Sequence, residues 1–428
     1  MSDKDVLAQL RDENQRLKRA VEELSILNEL SRTISASLNS TEIMNAIVRR
    51  SLKAVHAEQG VITLVDNAQA DSPMQTLIRA VVSTSQHEQF HANQALLGWM
   101  HLNKKPIIVN HPKSDERFQG VPWDPSIRNF VCVPLMVKAA LRGVLTVYNK
   151  KEAEGFVDDD QRLLAIIAAQ SAQVIENARL YEQEKAFLRI QEEVRLAGRI
   201  QTDLLPKTNP SIPGYDVAGK SIPAQAVGGD YFDFIRIDER RIVICLGDVS
   251  GKGLPASLLM ANTQATLHTL ALDALPAGEY IRRANQILFQ NTSPEKFVTM
   301  FLGILDSAKH TFEYCCAGHD NPFFFSGTVR RLGTGGIVLG MLNDFPYEQG
   351  TISLEPGDTI VMYSDGITEA MNSQEEEFSE QRLLEFLQNH RNNPSATLLN
   401  ELFHAVNNHT KGTPQTDDMT GIVITRTG

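Results

Sequence analysis

Apolar positions in the first thirty residues recur with a heptad period. Leu7, Asn14, Val21 and Asn28 share one inward position, and Leu10, Leu17 and Leu24 share another, with Glu, Arg and Lys between them. The spacing predicts a coiled coil over residues 1–31. Asn at an inward a position specifies register and favours two parallel strands, so a homodimer is expected, the alternative being an amphipathic helix packed on its own domain. From about residue 40 the pattern mixes. TEIMNAIVRRSLKAV has a helical period, GVITLV and LIRAVVS read as strands, and KPIIVN, FVCVPLMV and GVLTVYNK are β-branched runs bounded by Pro, Gly and Asn. These segments fit a compact α+β module.

A long helical pattern follows. It opens on Asp158, Asp159 and Asp160, which suit a helix N-terminus, and runs without Pro to Leu196 and on past Gly198 toward Leu205. One apolar seam passes through Leu164, Ile167, Ser171, Val174, Ala178, Tyr181 and Leu188. A second passes through Phe187, Ile190, Val194, Ala197 and Leu204. The phase changes near Lys185, a place where a coiled coil can pass a twist from one domain to the next; the second stretch could equally pack on the following domain.

Beyond residue 206 several Ile/Val-rich runs carry a carboxylate at one end. RIVICLGDVS brings Asp248, DTIVMYSDG brings Asp365, TDDMTGIVITR brings Asp417 and Asp418, and VGGDYFDF carries Asp230 and Asp233. A single Asp at a strand end is ordinarily a turn or cap residue. The repetition implies strands that collect their carboxylates along one edge, where mutual repulsion calls for oxygen-seeking divalent cations. Two phosphate-binding motifs fail around Asp248. Gly247 to Gly251 is one residue short of a P-loop and Gly253 follows Lys252 where Ser or Thr is needed, while the GxGxxA match at Gly251, Gly253 and Ala256 lacks an acidic residue at the end of a second strand.

Composition narrows the classes. The 428 residues hold 41 basic and 52 acidic side chains, a net charge of −11, which with the lack of a long basic run argues against nucleic-acid binding. No apolar run reaches the roughly 18 residues of a membrane span, and MSDKDVLAQL has charges where a signal peptide is apolar, so a cytoplasmic protein is expected. Cys132, Cys245, Cys315 and Cys316 lie in apolar runs without CxxC spacing and read as buried hydrophobes. His87, His91, His101 and His111 read as solvated residues, and Trp99 and Trp123 as packing residues.

Two resemblances follow from these blocks. CVPLMVKAALRGVLTVYNK and FVDDDQRLLAIIAAQSAQVIENARLYE resemble the second half of a GAF domain, implying a sensory fold over residues 32–180 with an antiparallel sheet flanked by helices. The ligand, a small molecule or protein signal, is not specified. IQTDLLPKTNPSIPGYDVAGKSIPAQAVGGDYFDF, GDVSGKGLPASLLMA, FVTMFLGILD, CCAGHDNPFFF, LEPGDTIVMYSDGITEA and TDDMT, in that order, resemble SpoIIE/RsbU-type serine phosphatases of the metal-dependent PPM family. The organisation implied is α+β multidomain: coiled coil, GAF domain, a linker over 181–205, and a PPM-type α-β-β-α sandwich over 206–428.

The second resemblance also implies a site. Asp248 corresponds to a carboxylate bridging two Mn2+ or Mg2+ ions, with the Val249 carbonyl beside it. Asp365 and Asp417 correspond to ligands from later strands, and Asp230 to a ligand or a holder of water. Asp418 is counted with the metal ligands although it stands where relatives often carry Asn, and Asp233 is expected to support rather than bind. Paired ions would activate water for in-line attack on phosphorus, so no Ser or Cys nucleophile is required. His319 could be a general acid, though a structural role is favoured. An Arg that binds substrate phosphate in many eukaryotic relatives has no counterpart in GKSIPAQAVGGD, which offers only Lys220. The implied substrate is a phosphorylated STAS-domain, anti-anti-sigma-like protein. The competing class is a non-catalytic pseudophosphatase.

Overall fold

The computed structural model describes residues 40–66, 75–83, 90, 93–293 and 295–428. The expected coiled coil over 1–31, and His87 and His91, lie outside the described residues. The fold divides between Leu188 and Arg189 into two compact units, each described by itself.

The first unit opens with helix α1 (Ser40–Ala54), followed by β1 (Ala57–Asp66), β2 (Gln75–Ser83), α2 (Gln94–Asn103), β3 (Ile107–Val109), β4 (Phe130–Val137) and β5 (Ala140–Lys150). The strands form one antiparallel sheet in the order β2-β1-β5-β4-β3. Met44, Ile47 and Val48 of α1 cover one face together with Leu164, Ile167 and Ala168 of the next helix. The other face packs Phe130, Cys132 and Tyr148 under Phe90, Phe118 and partly buried Trp99 and Trp123. Both faces are covered, which is why FVCVPLMV reads as a continuous apolar run rather than an alternating one. His101 and His111 are exposed, as expected of solvated residues.

Helix α3 (Asp158–Leu204) is continuous over 47 residues. Leu164, Ile167, Ser171 and Ala178 of its first seam are buried, whereas Tyr181, Phe187, Leu188 and Ile190 are about half exposed. The helix passes through Gly198 because its backbone touches a loop there: a Cβ at this position would stand 1.8 Å from the Ala226 carbonyl oxygen. Among the described residues, no helix is long and apolar enough to cross a membrane.

The second unit contains β6 (Tyr215–Ile222), β7 (Tyr231–Arg236), β8 (Arg241–Val249), α4 (Leu254–Leu270), α5 (Ala277–Asn291), β9 (Val298–Asp306), β10 (Thr311–Ala317), β11 (Phe323–Ser326) and β12 (Thr328–Arg331). It continues through β13 (Gly335–Gly336), β14 (Gly350–Ser353), β15 (Thr359–Tyr363), α6 (Asp365–Thr368), α7 (Glu380–His390), α8 (Ser395–His409) and β16 (Met419–Arg426). One sheet runs β13-β10-β9-β8-β7, with β14 also on β10; the other runs β12-β11-β15-β16-β6. Leu246, Phe301 and Phe312 meet Phe324, Ile360, Met362 and Ile422 between the sheets. Helices α4 and α5 cover the outer face of the first sheet, and α7 and α8 that of the second. The result is the expected α-β-β-α layering. All four cysteines are free and buried in these cores, and burial pushes the Cys132 and Cys315 thiols up to about 12 and Cys316 to about 11.

Candidate functional site

Three strand ends and one loop bring the carboxylates together. Strand β8 ends on Asp248 and Val249; β15 ends at Tyr363, placing Ser364 and Asp365 at the start of α6; Asp417 and Asp418 immediately precede β16. The loop between β6 and β7 delivers Gly228, Gly229 and Asp230. A cleft of about 90 Å3 is lined by Gly228, Gly229, Asp248, Lys252, Asp417 and Asp418, among others.

The electrostatics are those of crowded anions. Burial pushes Asp248 up to about 7, with further push from Asp365, Asp417 and Asp418. Asp365 is raised by burial and then by Asp417. Asp230 is carried well above the ordinary carboxylate range, chiefly by burial, although hydrogen bonds from Thr420 and Ser364 oppose the shift. Ser364 Oγ donates to Asp230 Oδ2 at 2.8 Å, and Thr420 Oγ1 donates to the same oxygen.

Each remaining acidic residue has a different task. Asp418 is spent on the loop: it accepts from Ala224 N at 2.8 Å, Gly229 N at 2.7 Å and Asp230 N at 3.3 Å. Asp233 points to the helical layer, where it accepts from Tyr231 OH and pairs with His268 Nε2, both at 2.7 Å. The loop glycines answer to this crowding. A Cβ on Gly228 would stand 2.2 Å from Asp418 Oδ2, and one on Gly229 would stand 2.9 Å from Asp248 Oδ1 and 3.0 Å from the Val249 carbonyl oxygen. Gly251 and Gly253 occupy positive φ, +93° and +73°, at the turn into α4.

His319 reaches Asp248 indirectly. Its Nδ1 lies 2.8 Å from Thr299 Oγ1, which accepts from the Asp248 backbone N–H at 3.2 Å. Burial lowers His319 to about 4, so near neutral pH it is an uncharged spacer with no imidazolium proton to give. Lys220 lies elsewhere: its Nζ donates to Asn400 Oδ1 at 2.8 Å and sits 5.2 Å from the centre of the Phe403 ring. Lys252 is the cation in the cleft, donating to Asp417 Oδ2 and to the Thr416 carbonyl oxygen, both at 2.8 Å.

Sequence reading did not single out Gln201, Thr299, Ser364 or Thr420. Gln201, in the last turn of α3, donates from Nε2 to Gly228 O at 2.7 Å and accepts from Gly228 N at 3.1 Å. Ser364 and Thr420 adjoin the acidic motifs, and that adjacency was the available signal; Gln201 and Thr299 had none.

Among the described residues, no three His, Cys, Asp or Glu side chains already surround one point at ion-binding distance. Lys252 holds Asp417, and backbone N–H groups hold Asp418. The donor chemistry nevertheless fits a hard divalent cation. Asp248, Asp365 and Asp417 supply carboxylate oxygens, the Val249 carbonyl lies against Gly229 beside them, and Asp248 and Asp365 are pushed up by burial first and by neighbouring carboxylates second.

Comparison with known proteins agrees with this layout. The GAF domain family matches residues 37–176, and the family described as Stage II sporulation protein E (SpoIIE) matches residues 238–427. Phosphoserine phosphatase RsbU of Bacillus subtilis is 34% identical over 44% of this chain and 58% of its own length. Phosphoserine phosphatase RsbP of the same organism is 23% identical over 55% of this chain and 58% of its own length. The chain thus spans less than two thirds of either relative. Among solved structures, the SiaA-PP2C domain of Pseudomonas aeruginosa shares the fold, with a TM-score of 0.50 and 20% identity over 57% of this chain and 99% of that one.

Proposed function

Because this chain joins a GAF domain to a SpoIIE-type PP2C domain and is homologous to RsbU, we propose that it is a metal-dependent protein serine/threonine phosphatase. The observation that carries the reading is the convergence of Asp248, Asp365 and Asp417 from three strand ends, with Asp248 pushed to about 7 by burial and by its neighbours.

In this reading Asp248 and the Val249 carbonyl, with Asp365 and Asp417 from the second sheet, would hold two divalent ions, manganese or magnesium. When bound, such ions lower the pKa of a water and neutralise the phosphoryl oxygens. Asp230, held by Ser364 and Thr420, orients water at the rim of the set. Asp418 is assigned to shaping the loop that carries Gly229, rather than to the ions, because its oxygens are committed to backbone N–H groups. Thr299 and His319 fix the backbone of Asp248. No thiolate takes part, since the cysteine thiols are buried and pushed upward.

The substrate is assigned as a phosphoserine or phosphothreonine on a STAS-domain regulator in the cytoplasm. The GAF domain controls the phosphatase through α3, a role supported by the contact of Gln201 and Gly198 with the loop at the cleft. The half-exposed Tyr181, Phe187, Leu188 and Ile190 support a homodimer through the same helix.

The test is phosphate release from a phosphoserine STAS-domain protein with manganese, with magnesium and with chelator. Metal-dependent release that Asp248→Ala abolishes, with the fold retained, is the expected result. Equal release by the unaltered chain in chelator, or by Asp248→Ala, overturns the reading.

A further inference from the structure

Lys252 is the cation of the cleft, yet neither the fold nor the carboxylate set requires it. It stands between Gly251 and Gly253, whose positive φ values bend the chain so that residue 252 lies at the mouth of the cleft. Its ammonium is anchored at two points, Asp417 Oδ2 and the Thr416 carbonyl oxygen, both 2.8 Å away. The side chain is 56% exposed and that of Asp417 is 40% exposed, so solvent screens the pair and the flexible lysine stem exchanges partners readily. Lys220, the one basic residue in the stretch where eukaryotic relatives carry a phosphate-binding Arg, is turned to Asn400 and Phe403.

An ion and Lys252 compete for one carboxylate oxygen. Asp417 Oδ1 already accepts from the Asp418 N–H at 2.9 Å, so a divalent cation that takes Oδ2 displaces the ammonium, or shares the oxygen with it at the expense of like-charge repulsion. The displaced ammonium stays tethered beside the cleft, where a phosphoryl dianion is the strongest available acceptor. Resting on the phosphatase reading above, we propose that Lys252 is a two-position cation: it neutralises Asp417 when no ion is bound, and it binds a substrate phosphoryl oxygen once an ion has claimed Asp417. It thereby fills the phosphate-holding role for which this chain has no arginine. No covalent step is involved.

The experiment uses the full chain and two probes that need no turnover. Free Mn2+ is titrated by electron paramagnetic resonance against the unaltered chain, Lys252→Met, Lys252→Arg and Asp248→Asn. Inorganic phosphate is then titrated against the Mn2+-loaded forms, followed by the relaxation of its phosphorus nucleus. Lys252→Met is expected to bind Mn2+ more tightly, by roughly threefold or more, because a competing cation is gone. It is also expected to bind phosphate about tenfold more weakly, whereas Lys252→Arg restores phosphate binding. Unchanged or weakened Mn2+ affinity in Lys252→Met, or unchanged phosphate affinity, overturns the proposal while leaving the phosphatase reading in place. Failure of the unaltered chain to bind Mn2+ more tightly than Asp248→Asn overturns the metal reading itself, and this proposal with it.

Discussion

The side-chain amide of Gln201 pairs with both polar groups of Gly228, donating to its carbonyl at 2.7 Å and accepting from its N–H at 3.1 Å. One turn earlier, Gly198 lets the helix backbone touch Ala226 of the same loop. The last turns of α3 thus brace the loop whose Gly228 lines the cleft. Gln201→Ala removes both bonds, and turnover is expected to fall by roughly tenfold with the fold retained, since each bond contributes about 1 kcal/mol. Gln201→Glu keeps the acceptor but sets a carboxylate against the Gly228 carbonyl, and should lose more. Steady-state rates beside circular dichroism check this; normal turnover in Gln201→Glu would show that the loop is held by other contacts.

Gly229 faces Asp248 and the Val249 carbonyl, and Gly228 faces Asp418, so the two alanine variants separate the proposed chemistry from folding. Gly229→Ala presses a methyl group onto Asp248 Oδ1 and the Val249 carbonyl, and should weaken Mn2+ binding with little change in melting temperature. Gly228→Ala meets Asp418 Oδ2, which is anchored by backbone donors, and should destabilise the unit by about 1–3 kcal/mol. Calorimetry and metal titration on both proteins decide it.

Asp418→Ala leaves the N–H groups of Ala224, Gly229 and Asp230 without their acceptor. A loss of about 1–3 kcal/mol per buried unpaired group is expected. Asp418→Asn keeps one carbonyl oxygen and should retain most of the stability and the activity. Denaturant unfolding orders the three proteins; an Asn variant as unstable as the Ala variant would refute this assignment.

The pH dependence has a definite sign. Asp248 sits at about 7 in the folded chain against 3.8 when exposed, and Asp230 and Asp365 are shifted the same way. Between those values the folded state binds more protons than the unfolded state, so the ion-free chain loses stability as pH rises from about 4 to 7. Metal binding needs the ionised carboxylate and strengthens over the same range. Melting curves without metal should fall from pH 5 to pH 7.5; manganese should reverse the trend, and Asp248→Asn should flatten it.

Phe187, Leu188 and Ile190 expose about half of their surface on a helix whose earlier seam is buried. Replacing Leu188 and Ile190 with Glu is expected to convert a dimer to monomers in analytical ultracentrifugation without altering the secondary structure. A monomeric unaltered chain would remove the coiled-coil dimer from the picture.

What the sequence disclosed was whatever depends on local pattern. Strand runs ending in Asp248 and Asp365, the acidic start of α3 and the buried cysteines are all visible because burial and strand period act on neighbouring residues. What it withheld depends on partners far along the chain. Lys252 meets Asp417 across 165 positions, and Thr420 meets Asp230 across 190. Lys220 was the one basic residue in GKSIPAQAVGGD, and its position in β6 opposite Gly421 places it against Phe403 rather than at the cleft. Asp418 joined the expected ligands through its place in the TDDMT motif, but its oxygens accept the N–H groups of Ala224, Gly229 and Asp230, nearly two hundred positions away along the chain.

Strand β16 lies between β15 and β6 in the second sheet and, among the described residues, is the strand that pairs with β6. During synthesis, β6 therefore waits for a partner made some two hundred residues later, and β15 keeps one edge open until then. The residues that close that gap, from Asp417 onward, also complete the carboxylate set. A nascent chain thus acquires the pairing of β6 and its full group of clustered carboxylates in a single event.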